Sequence, residues 1–170
     1  MEAEEKRGYE HTDAEASMTF AAQAGHVRKG DYIMIRDRPC KVVEVNACKT
    51  GKHGGTKSHV IGKDCFTDDK LEAIYVTKAN VDVPVIAKDE YQVVPTWYES
   101  CTIKGGNHCT LLDLKTCETR SDLKVPEPIA IRVCEIFEAH RQKDVDVAVV
   151  VFKACGREKI IDVKLMGAAG

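Results

Sequence analysis

From residue 31 to 45 the chain reads DYIMIRDRPCKVVEV. Two runs rich in aliphatic and β-branched residues flank a short polar stretch, the pattern of two strands joined by a tight turn. It predicts a strand over 32–35, a turn over 36–38 and a second strand over 39–45. Pro39 opens that second strand, because proline has no N–H for the middle of a ladder. KSHVIGKDCF resumes a strand around 59–61, leaving 49–56 as a long hairpin loop. KLEAIYV and VDVPVIA read as further short strands. Short strands this closely spaced, separated by Gly and Asp turns, restrict the first half to a small barrel.

Pro84 and the polar KDE interrupt the pattern, and a second set of strands follows: YQVVPTWY, SCTI, TLLDL and TRSDLKV, with IKGGNHC as a glycine hairpin turn. The period then changes. Ile129, Val133, Ile136, Phe137 and His140 fall on one face of a helix. Pro126 and Pro128 suit its first turn, and Arg141 and Lys143 its negative end. Val145, Val147, Val149 and Val151 alternate, as do Ile161, Val163 and Leu165, with Cys155, Gly156 and Arg157 turning between them. Strands, one helix and two closing strands fit an OB-fold, whose barrel binds oligonucleotides. The expected division is an acidic, disordered tail over 1–18, a first β domain over 19–86 and a second over 87–170. No internal repeat is evident.

Several classes drop out. No apolar run approaches the roughly 20 residues that span a bilayer. The N-terminus MEAEEKRGYEHTDAEAS is acidic and lacks the apolar core of a signal peptide, so a cytoplasmic location is expected. Eight cysteines show no C-x-x-C spacing and are read as free thiols serving as small buried hydrophobes.

The formal charge of −2 conceals a local excess of cations. Between Asn46 and Lys63 stand Lys49, Lys52, Lys57 and Lys63 without one acid, and the centre of that stretch is CKTGKHGGTKSHV. A phosphate loop would need Gly at position 56, where Thr stands, and a helix after Lys57, where a strand is expected. Cys48, His53, His59 and Cys65 have zinc-ligand chemistry but no finger spacing, and read better as one exposed His, one strand His and two buried thiols. No catalytic constellation stands out, and an exposed lysine keeps a high pKa that makes it a poor nucleophile. Lys52, set among Gly51, His53, Gly54 and Gly55, is placed for a partner's pocket or an RNA cleft to enclose it. The bland reading is a basic hairpin tip.

KTGKHGGTKSHV resembles the modification loop of the hypusine-containing translation factor family, eukaryotic translation initiation factor 5A. The likeness extends to RKGDYIMIRDRPCKVVEV, DVPVIAKDEYQVV and DLKVPE, and runs from about Thr19 to the C-terminus. The archaeal counterpart and bacterial elongation factor P are more distant relatives. The resemblance implies a mainly β fold, an SH3-like N-terminal barrel followed by a C-terminal OB-fold domain with one helix, the loop 48–58 belonging to the first. Lys52 matches the lysine converted to hypusine. Deoxyhypusine synthase, which carries NAD, would transfer an aminobutyl group from spermidine to its ε-amine, and deoxyhypusine hydroxylase would add a hydroxyl. No cofactor or metal would be bound, and no residue of the chain would be catalytic. Lys49, Thr50, Gly51, His53, Gly54 and Lys57 match loop positions that contact the synthase or RNA. The partner would be the ribosome beside peptidyl-tRNA, where the factor promotes peptide-bond formation at stalling sequences such as proline runs, and termination. The oligomeric state is left open, a homodimer included.

Three departures accompany the likeness. Gly55 stands where family members usually carry a larger residue, often His or Arg. The stretch 97–108 is longer than the family norm, which extends the first hairpin of the second domain. The tail is also long. The competing reading is a general RNA-binding SH3/OB module without obligatory modification.

Overall fold

The computed structural model describes residues 18–49, 55–94, 108–140 and 145–167. These residues fall into two compact units. The first ends at Val85 and takes in Ala154–Gly156; the second runs from Ile86 to Lys153 and onward from Arg157.

In the first unit β1 (Thr19–Gln23) leads through one turn of 3-10 helix (Ala24–His26) to β2 (Tyr32–Ile35), β3 (Arg38–Lys49), β4 (Thr56–Asp64), β5 (Lys70–Val76) and β6 (Asn80–Pro84). Strands β2 to β5 form an antiparallel meander in chain order, and β1 pairs with β6. The core is aliphatic, as few aromatics require: Ile33, Ile35, Val42, Val60 and Val81 lie at its centre with Cys40. The first turn is shorter than 36–38. Arg36 and Asp37 alone make it, with φ of 52° and 61°, and Arg38 already pairs with Ile35. Two consecutive left-handed residues make the type I′ turn whose twist suits a two-residue hairpin.

β3 and β4 run longer than expected. The ladder continues to the pair Lys49↔Thr56, because the polar residues Asn46, Cys48, Lys57 and His59 are strand residues of an outward face rather than loop. A bulge at Val43, between the pairs Val42↔Gly62 and Glu44↔Ile61, adds local twist to β3.

The second unit holds β7 (Ala87–Val94), β8 (Thr110–Asp113), β9 (Thr119–Arg120), α1 (Glu127–Ala139), β10 (Asp146–Ala154) and β11 (Arg157–Met166), in the spatial order β11-β10-β7-β8-β9. Five strands with a helix between the third and fourth is the element order of an OB-fold. The molecule is therefore mainly β with one α-helix among the described residues, an SH3-like unit followed by an OB-fold unit. Pro126 begins α1, with its carbonyl accepting from the amides of Ile129 and Ala130. Ile129, Ala130 and Val133 are buried, and Ile136 and Phe137 pack against the same core. His140 follows the helix with Nδ1 2.9 Å from the Ile136 carbonyl oxygen. This helix is not long and apolar enough to cross a membrane.

Four expectations need correction. β10 is buried from Val147 through Phe152 on both faces, so its Val alternation marks only one of two buried sides; a near-continuous apolar run fits a strand covered on both faces better than a half-exposed one. In β11 the phase is different: Ile160 is fully buried, whereas Ile161 and Leu165 are 39% and 49% exposed. Ile160 and Val163 take the inward positions, three apart, which strict alternation does not allow. Of the cysteines, Cys40 is buried but Cys48 and Cys117 are exposed. Cys134 is in a disulfide, so the thiols are not all free. The acidic tail, SCTI, the glycine turn at 103–107, nearly all of the expected extended hairpin 97–108, and Arg141 and Lys143 lie outside the described residues. His108, at the hairpin's end, bridges to Lys124.

Candidate functional site

The basic segment is carried on the central hairpin of the first unit. β4 is hydrogen-bonded to β3 on one side and β5 on the other, so the strand that follows the loop is held along both edges. Its inward residues Ser58, Val60 and Gly62 are buried. Gly62 is required by space: a Cβ there would stand 2.9 Å from Ile35 Cδ1 and 3.0 Å from Cys40 Cβ.

The far end of the hairpin is anchored by Asp64. Its carboxylate is buried and accepts from the amides of Phe66 (2.7 Å) and Thr67 (3.0 Å) and from Arg38 Nε (2.5 Å). Arg38 Nη2 also donates to Thr67 Oγ1 (2.6 Å) and Asp69 Oδ2 (2.7 Å). Burial alone would raise the Asp64 pKa; the two amides and the guanidinium outweigh it and hold the carboxyl below its usual range. The start of β3 is thus tied to the β4–β5 turn, and the opposite end of the same hairpin presents the basic segment.

At that presenting end the cross-strand pairs are Cys48↔Lys57 and Lys49↔Thr56. Thr50, Gly51, Lys52, His53 and Gly54 lie outside the described residues. Lys57 is exposed on β4 and has no ion-pair partner among the described residues. That β4 is a strand from Thr56 to Asp64 removes the phosphate-loop reading, which needs a helix N-terminus after the lysine. The four zinc-type residues are not brought together as a described cluster: Cys48 is exposed, not buried, and His59 Nε2 faces Glu72 Oε2 at 3.1 Å.

The OB-fold unit carries a charged cluster that spacing did not reveal. Tyr91 is buried, with Arg120 and Lys153 each 5.7 Å from its ring centroid. Arg120 makes a two-point pair with Glu158 (3.0 and 2.6 Å) and bonds Asp122. Lys153 pairs with Asp89 (2.9 Å) and Glu158 (3.3 Å). The Arg120 bond pulls the Asp122 carboxyl down to about 2. Every cation here has a carboxylate partner, so the cluster braces β7, β9, β10 and β11 together rather than offering free charge to phosphate.

Residues 17–79 match the family model described as translation initiation factor 5A-like, N-terminal, and residues 85–164 match eukaryotic elongation factor 5A hypusine, DNA-binding OB fold. The chain is 39% identical over 157 residues to eukaryotic translation initiation factor 5A-1 of Caenorhabditis elegans, covering 92% of this chain and 91% of that one. It is 37% identical to eukaryotic translation initiation factor 5A-3 of Arabidopsis thaliana, covering 97% and 98%. Among solved structures, a translation initiation factor 5A family protein from Naegleria fowleri superposes with a TM-score of 0.67 at 36% identity, covering 86% of this chain and 99% of that one. The Methanococcus jannaschii protein superposes with a TM-score of 0.64 at 30% identity, covering 86% and 95%.

Proposed function

The chain belongs to the translation initiation factor 5A family, and from that premise we propose that it is a noncatalytic elongation factor activated by conversion of Lys52 to hypusine. The observation that carries this reading is the β3–β4 ladder. It extends rigid, paired backbone from a packed core out to Lys49↔Thr56, within the segment that matches the family's N-terminal model. A hairpin held at its root by Asp64 and Arg38, and along β4 by both neighbours, is a firm mount for one side chain.

In this reading Lys52 is the acceptor. Its ε-amine receives an aminobutyl group from spermidine on deoxyhypusine synthase, which holds NAD, and deoxyhypusine hydroxylase adds the hydroxyl. Lys49, Thr50, Gly51, His53, Gly54 and Lys57 are the positions around it in sequence proposed to contact the synthase or RNA. The product is a long arm with spaced ammonium groups on a flexible stem. Such an arm follows phosphates into a crevice too narrow for backbone, where plain lysine is too short. On the ribosome it steadies the acceptor end of peptidyl-tRNA, so the gain is positional, in the manner of any group that fixes a reactant's geometry. Stalled sequences such as proline runs, and termination, are the steps served, in the cytoplasm. The chain itself holds no cofactor.

Lys52→Arg keeps the fold and one charge but cannot accept the aminobutyl group. Cells relying on Lys52→Arg are expected to fail at polyproline synthesis and to grow poorly. Normal growth of such cells would remove the proposal.

A further inference from the structure

The chain has eight cysteines. Cys40, Cys48, Cys65, Cys109, Cys117 and Cys155 are free, and Cys134 is disulfide-bonded. The remaining cysteine is Cys101, in the long stretch 97–108 and outside the described residues. Cys134 belongs to α1, one position after the buried Val133, and is itself half-buried. The strands that lie between positions 101 and 134 are thinly laddered. β9 has two residues, and among the described residues it joins β8 only through the pairs Leu111↔Arg120 and Leu112↔Thr119. His108 and Lys124 add one isolated bridge. A segment with so few ladder bonds opens locally at low cost. A covalent link across it stabilises the unit mainly by restricting the unfolded chain.

We propose that Cys101 and Cys134 form a reversible disulfide, a redox-sensitive staple that ties the long stretch of the OB-fold unit to α1. The bond closes a loop of roughly 33 residues that contains β8 and β9. Disulfides in a reducing compartment are transient, so in the cytoplasm proposed for the chain this one forms and breaks with the thiol pool. Glutathione disulfide is a sufficient oxidant. The thiolate of one cysteine attacks a sulfur of glutathione disulfide, forming a mixed disulfide and releasing one glutathione thiolate. The thiolate of the second cysteine attacks the protein sulfur of that mixed disulfide and expels the other glutathione. Two cysteine thiols are oxidised and one glutathione disulfide is reduced to two glutathiones, which take up the two protons that the cysteines lose. Other thiols of the chain compete poorly. Burial pushes Cys40, Cys65 and Cys109 up to about 11, which keeps them protonated and slow to exchange. The device acts on the second unit and does not depend on the reading of Lys52.

The test uses the full chain, equilibrated in mixtures of glutathione and glutathione disulfide, quenched with N-ethylmaleimide and digested without reductant. Mass spectrometry is expected to find a peptide pair linking Cys101 to Cys134 in the oxidised chain and to lose it after dithiothreitol. Oxidation is expected to raise Tm by about 5 °C or more. Cys101→Ser and Cys134→Ser are each expected to abolish that rise, and Cys117→Ser, at an exposed cysteine, to leave it in place. Cys134 unlinked at every ratio, or linked to a different cysteine, would overturn the proposal. So would an undiminished rise in Cys101→Ser. The mapping is read on the unaltered chain, so it holds the proposal to account even where a serine variant fails to fold.

Discussion

Asp64 carries a charge inside the sheet, and three donors offset its desolvation. Removing the carboxylate strands Arg38 and two amides together. Asp64→Ala is expected to destabilise the first unit by about 3 kcal/mol in urea unfolding. The sign of the pH effect follows from the lowered carboxyl. Its contribution is complete above the unfolded-state carboxyl range near pH 4 and is lost as pH falls through the lower folded value. The wild-type chain should therefore lose stability steeply on acidification, and Asp64→Ala should show a shallower acid limb. Gly62→Ala is a packing test at the same strand. Its Cβ would press on Ile35 and Cys40, costing about 1–3 kcal/mol. Neither role was legible in the sequence, where Asp64 and Gly62 look like turn residues. The Arg38 partner of Asp64 and the Ile35 and Cys40 neighbours of Gly62 lie more than 20 positions away, which local pattern does not encode.

At the scale of elements, several strands were readable, but β1 was not expected, TRSDLKV is a strand only at Thr119–Arg120, and strand phase was not readable. β2 and β5 stand where their β-branched runs placed them, and α1 where its apolar residues repeat at helical spacing. β3 and β4 outran their apolar cores because their mutual hydrogen bonding continues through polar residues once the pair is in register. In β11, Ile160 and Ile161 are adjacent and chemically identical, so only the fold decides which turns inward. Ile160→Ala is expected to cost about 3 kcal/mol and Ile161→Ala less than about 1 kcal/mol, read by chemical denaturation; equal costs would reject the observed phase. The β2–β3 turn gives a second test. Arg36 and Asp37 both occupy left-handed backbone without the usual Asn-Gly chemistry. Replacing them by Asn-Gly is expected to stabilise the chain by about 1 kcal/mol, seen as a raised Tm.

For the whole molecule, the loop motif carried more functional information than any structural element. The proposed assignment of Lys52 rests on K-T-G-K-H-G, and β3 and β4 are the described strands that lead into and out of that segment. The sequence did not reveal that the charged cluster around Tyr91 is internally neutralised. That emerges only when strands far apart in the chain are paired. In the proposed function the fold is a holder and Lys52 the working group, and one direct measurement tests that division. Mass spectrometry of the protein purified from its native source should show the intact mass raised by one hydroxylated aminobutyl unit, mapped by fragmentation to Lys52. Functional native protein carrying plain lysine at position 52 would contradict it.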